Sequence, residues 1–116
     1  MHDAVIVSTA RTPIGKAYRG AFNDTQAQAL AAHAITHAVE RAGIADDEIG
    51  DVVLGAALQQ GSTHMNIARQ AAIRAGLPTS VPGMTVDRQC SSGLMALSII
   101  SAQIRHGEIA TGVAGG

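Results

Sequence analysis

Cys90 is the only thiol of the chain, in the run Val86-Asp87-Arg88-Gln89-Cys90-Ser91-Ser92-Gly93-Leu94-Met95-Ala96-Leu97. A short apolar stretch there meets a predicted helix start, where a helix presents unpaired amide donors and the positive end of its dipole. Both favour thiolate over thiol, which makes Cys90 a candidate nucleophile. The competing reading is a free cysteine buried as a small hydrophobe. Ser91, Ser92 and Gly93 keep bulk away from the sulfur, and Leu94, Leu97, Ile100 and Ile104 predict the apolar stripe of the helix behind it. That pattern favours a thiol held at a turn.

Other residues with chemical potential are weaker candidates. His33 and His37, four apart, and Glu40, three further on, fall on one predicted helix face. The spacing can hold a metal ion, but no glutamate follows the first histidine and no third ligand is evident, so the face reads as solvated surface. No metal and no permanently bound cofactor is expected. The glycines of Gly15 to Gly20 and of Gly107 to Gly116 lack the order of a dinucleotide fingerprint or a phosphate loop. Ala17 follows Gly15-Lys16 where a magnesium-binding hydroxyl would be required, so these glycines read as turn and packing residues.

Bulk properties exclude several function classes. Eight Lys and Arg against nine Asp and Glu, with Tyr18 and Phe22 the only Tyr, Phe or Trp, argue against nucleic acid or an anionic membrane surface as partner. One cysteine forms no internal disulfide, the first residues lack the basic start and apolar core of a signal peptide, and no run is long enough to span a bilayer. A cytoplasmic chain is expected. Its 116 residues make at most one modest domain, and the richness in Ala and Gly lets helices pack closely while burying little area each.

The elements that must position Cys90 follow from periodicity and punctuation. Ala4 to Ala10 predicts a buried strand that stops at Arg11-Thr12-Pro13. A helix capped by Asn23 or Asp24, with Gln26 completing a capping box from Asn23, carries an apolar face of Leu30, Ala31, Ala34, Ile35, Ala38, Val39 and Ala42 and closes at Gly43. Asp46 to Glu48 reads as a solvated turn before a second strand, Asp51 to Ala57. A second helix runs from about Met65 to Ala75 and ends at Gly76, with Pro78 beyond it. Gly83 to Val86 is a third strand, Ser91 to His106 a third helix and Ile109 to Gly115 a fourth strand. The order β-α-β-α-β-α-β predicts an α/β layered domain with helices packed on a mixed, mostly parallel sheet. Because the last strand runs straight into Gly115-Gly116, the chain is expected to be the first part of a longer protein.

The stretch from Val86 to Ile104 resembles the acyl-enzyme signature of the thiolases, with Val86, Cys90, Ser91, Ser92, Gly93, Leu94, Ala96, Leu97 and Ile104 in matching positions. Arg11 to Lys16, Ala68-Arg69-Gln70-Ala71-Ala72, Ala75 to Pro78 and Ala114-Gly115-Gly116 are similar to further thiolase segments, in the family's order. One position departs: Asp87 stands where the family usually has Asn, and an ionised carboxylate cannot donate as an amide does and opposes a nearby thiolate.

The resemblance implies a layered thiolase N-terminal half-domain over residues 1–116, with a later loop domain and C-terminal domain missing. It implies an acyltransferase that makes or cleaves 3-ketoacyl-CoA through an acyl-cysteine at Cys90, with coenzyme A or acetyl-CoA as substrate. The Cys90 backbone N–H becomes a candidate oxyanion donor and Gly93 a close-packing residue. The family's activating histidine, Asn-held water, Gly-His-Pro segment and second cysteine have no counterpart in these residues, so the chain alone is expected to be inactive. The resemblance also implies a homo-oligomer, dimer or tetramer, or a second chain that carries the remainder. Alternatives are another thiolase-like condensing enzyme such as a ketoacyl synthase, and a noncatalytic thiolase-like lipid-binding or assembly module.

Overall fold

A computed structural model describes residues 1–116. Three helices, α1 (Ala27–Ala42), α2 (Ile67–Arg74) and α3 (Ser92–Arg105), alternate with three strands, β1 (Asp51–Gly55), β2 (Gly83–Val86) and β3 (Gly112–Gly115). The sheet order is β2-β1-β3, and both pairings with β1 are parallel. The α/β class with helices layered on a parallel sheet is therefore as the sequence predicts.

Alternation along β1 divides the core. Val52 and Leu54 face α1 and α2 and join Ile35, Val39, Ala68, Ala71 and Ala72 in the larger cluster, which Ile49, Leu77 and Val81 complete. Val53 points the other way and packs with Ala96 and Ile100 of α3. A central strand covered on both faces needs a continuous apolar run, and Val52-Val53-Leu54 supplies it. Asp51 is buried at the head of this strand, where Gln103 of α3 donates to its Oδ2 at 3.0 Å. No helix is long and apolar enough to cross a membrane.

The first predicted strand does not form. Ala4 to Ala10 joins no ladder, and Val5, Ile6 and Val7 are 68–74% exposed. Both edges of β1 are taken by β2 and β3, and the segment adds to neither of their free outer edges. The segment is held near its ends instead, by the His2 amide on the Arg105 carbonyl (3.2 Å) and the Arg41 guanidinium on the Thr9 carbonyl (2.8 Å).

Helix boundaries also shift for local reasons. Asn23 does not cap α1: its Oδ1 accepts from the Gly20 amide at 3.3 Å and thereby closes the preceding turn, and α1 begins after Gln26 with no side-chain cap. At the other end, Gly43 takes the left-handed conformation (φ 67°) and its amide returns to the Glu40 and Val39 carbonyls, as a closing glycine does. The strand β1 stops at Gly55, two residues short of the predicted end.

Candidate functional site

The sequence places Cys90 between a strand and a helix, and the structure has that arrangement: β2 ends at Val86 and α3 starts at Ser92. The five intervening residues are tied by their own side chains. Asp87 Oδ1 accepts from the Gln89 amide at 2.8 Å, a turn that a short carboxylate or carboxamide builds two residues ahead. The contact uses an acceptor oxygen, which Asp and Asn both carry, so the departure at Asp87 leaves this turn intact. Gln89 adopts φ 50°, a conformation that non-glycine residues rarely hold, and reverses the chain just before the thiol.

Ser92 locks the reversal. Its buried hydroxyl accepts from the Arg88 amide at 2.8 Å and donates to the Gln89 carbonyl at 2.6 Å. Ser91 adds a bond from its Oγ to the Arg88 carbonyl at 2.9 Å. The two serines that sequence reasoning valued for their small size thus act through their hydroxyls as well.

Cys90 itself is a free, exposed thiol, so the burial reading does not hold. The amides of Ser91 and Ser92 are taken by the Arg88 and Gln89 carbonyls, whereas those of Cys90, Gly93 and Leu94 have no acceptor within the chain. Unpaired amides in a first helical turn next to an exposed sulfur can receive negative charge that develops beside it. Two of the five histidines are engaged by other groups: His37 lies 3.4 Å from Glu40, and His64 contacts the Gly61 carbonyl. His33 and His37 stack edge to face at 4.4 Å on α1, and no group of three or more His, Cys, Asp and Glu gathers in metal-holding geometry.

The stripe of α3 is rotated from the predicted one. Ser92, Ala96 and Ile100 are buried, whereas Leu94 and Leu97 are 71% and 41% exposed. Small residues make the close approach to the sheet. A Cβ added at Gly55 would lie 2.2 Å from the carbonyl carbon of Ser92, and one at Gly116 would lie 2.8 Å from Gly93 Cα. Gly93, the predicted close-packing residue, has ordinary room, because its Cβ would meet Gly116 Cα at 3.5 Å. Sequence reasoning did not single out Gly55; its position at the end of an apolar strand is the signal that could have.

A cavity of about 510 Å³ lies behind this end of the sheet, between the segment Ala10 to Ile14, the Leu30 and Ala34 face of α1, and the ends of β1 and β3. Gly55 and Gly116 line it, while Cys90 does not. The thiol opens to solvent on its own side.

Comparison with known proteins identifies relatives over nearly the full chain. Residues 4–116 match the family described as thiolase, N-terminal domain. The chain is 45% identical to 3-ketoacyl-CoA thiolase 5, peroxisomal, of Arabidopsis thaliana, over 98% of this chain and 25% of that protein. It is 45% identical to an acetyl-CoA acetyltransferase of Cupriavidus necator over 100% of this chain and 29% of that protein. It is 40% identical to a 3-ketoacyl-CoA thiolase of Bacillus subtilis, with 100% and 30% covered. The chain thus spans less than a third of the length of these relatives.

Proposed function

This chain belongs to the thiolase family through its N-terminal domain, and on that premise we propose that Cys90 is the nucleophile that accepts an acyl group from a coenzyme A thioester. The observation that carries the reading is an exposed free thiol on the residue just before the N-cap of α3, beside its own unpaired amide. The Cys90 sulfur attacks the thioester carbonyl carbon, and the resulting oxyanion is received by the Cys90 N–H. Collapse breaks the bond to the coenzyme A sulfur, which leaves as a thiolate and takes up the proton that the Cys90 thiol gave to a base. Transfer of the acyl group to the carbanion of a second acetyl-CoA forms the new carbon–carbon bond of a 3-ketoacyl-CoA and frees the Cys90 sulfur. In the cleavage direction the sulfur attacks the 3-keto carbon instead, the C2–C3 bond breaks, the departing acetyl-CoA carbanion takes up a proton, and the sulfur of free coenzyme A then takes the acyl group from Cys90. The names of the relatives, acetyl-CoA acetyltransferase and 3-ketoacyl-CoA thiolase, support this substrate class.

The base is provided outside residues 1–116, by a further segment or a second chain that covers the open side of the Cys90 turn, in a dimer or tetramer. The supporting observation is that His37 and His64 are engaged away from the thiol. A reducing compartment such as the cytoplasm suits a catalytic free thiol. In the full-length protein, Cys90→Ser removes acyl incorporation from acetyl-CoA while the circular dichroism spectrum stays that of the parent. Incorporation that persists in the variant contradicts the assignment. Residues 1–116 alone show no coenzyme A-dependent thiolysis on this reading, and measurable turnover by them contradicts the external base.

A further inference from the structure

The Cys90 turn hangs from the end of β2, and β2 is an edge strand paired with β1 on one side only. Its second support is the first turn of α2. There Met65 and Asn66 both adopt left-handed backbone, φ 55° and φ 63°, which two successive non-glycine residues keep only where their surroundings hold them. The Asn66 side chain does the holding at both of its polar atoms. Its Oδ1 accepts from the Arg69 amide (3.3 Å) and from Thr85 Oγ1 (2.8 Å), and its Nδ2 donates to the Gly83 carbonyl (2.8 Å).

Thr85 Oγ1 in turn accepts from the Ala68 amide at 3.1 Å, so strand and helix are tied in both directions. The Arg69 guanidinium extends the clamp to the carbonyls of Val81 and Thr79. The backbones are so close that a Cβ on Gly83 would lie 2.7 Å from Arg69 Cα. Beyond Thr85 the chain has one more strand residue, Val86, whose carbonyl is fixed by the Ala56 amide at 2.9 Å, and then enters the Asp87 turn. Any slip of β2 against α2 is therefore passed to Cys90.

We propose that Asn66 and Thr85 are a pair of positioning residues that set the placement of the Cys90 thiol and its amide without touching the reacting atoms. The proposal rests on the reading of Cys90 as a nucleophile and adds the residues that aim it.

The test uses the full-length protein and the rate of Cys90 alkylation by iodoacetamide across pH, read by mass spectrometry on the peptide that contains Cys90. Asn66→Gly tolerates the left-handed backbone while removing all three side-chain bonds. Thr85→Val removes the hydroxyl at nearly constant shape, and Thr85→Ser keeps it. Asn66→Gly and Thr85→Val change the alkylation rate by about tenfold and displace its pH profile, as a small misplacement near a reacting group does, and Thr85→Ser restores both. Should Asn66→Gly not fold, the Val and Ser variants of Thr85 make the same comparison. Profiles superimposable on the parent's in folded variants, even with lowered urea midpoints, overturn the proposal, because the clamp is then structural only. A parent protein that fails to acylate while the alkylation profiles move as stated overturns the acyl-transfer reading and leaves the positioning role standing.

Discussion

Cys90 owes its place to the bonds its neighbours make, and those bonds can be removed singly. Ser92 is buried and its hydroxyl serves the Arg88 amide and the Gln89 carbonyl together. Ser92→Ala leaves both without that partner and lowers stability by about 1–3 kcal/mol, seen as a lower urea midpoint at unchanged slope. A midpoint equal to the parent's contradicts the role of the hydroxyl. At Asp87 the same logic separates charge from geometry. Asp87→Asn keeps an acceptor for the Gln89 amide and changes stability by less than about 0.5 kcal/mol, whereas Asp87→Ala loses the bond and about 1 kcal/mol. Equal losses in the two variants would show that the carboxylate matters for its charge. The departure at Asp87 was legible in the sequence; its harmlessness to the turn was not, because the choice between accepting and donating depends on which backbone group lies within reach.

Between elements, the contact that decides the height of the Cys90 turn is that of β1 with the start of α3. Gly55→Ala drives a methyl to 2.2 Å from backbone of Ser92, where nothing flexible can yield. That costs about 3 kcal/mol or more. Gly93→Ala, one residue beyond Ser92, meets only ordinary contact at 3.5 Å and gains helix propensity, so it is neutral or stabilising by up to about 1 kcal/mol. Thermal melts of the two variants check the opposite signs, and a Gly93→Ala loss as large as that of Gly55→Ala contradicts the assignment. Periodicity revealed that α3 exists and where it runs, but not which side faces the sheet. Leu94, Met95, Ala96, Leu97, Ile99 and Ile100 put apolar residues on nearly every face, and the sheet selects the side with Ala96 because a small residue permits close approach. The strand β2 was legible to the residue, because it lies between Pro82 and the polar run that starts at Asp87.

For the whole molecule, three parallel strands layered between helices follow from the alternation of apolar runs and helical stripes, and that much was readable from the sequence. The fate of Ala4 to Ala10 was not, since an apolar β-branched run carries strand propensity without specifying a partner, and the outer edges of β2 and β3 do not receive it. None of its amides donates a hydrogen bond within the chain. Hydrogen exchange therefore finds Val5 to Val7 unprotected while Val52 to Leu54 exchange most slowly, and equal protection of the two segments contradicts the described sheet. The same fold brings a free thiol to an open face just before the N-cap of α3, and acyl transfer requires that thiol to be the group acylated. The most direct measurement is a peptide map of the full-length protein after brief exposure to acetyl-CoA, repeated after a chase with free coenzyme A. The account predicts one acetyl group, on Cys90, discharged by the chase. Acetyl groups found only at other residues, or an acetyl on Cys90 that coenzyme A does not remove, would contradict it.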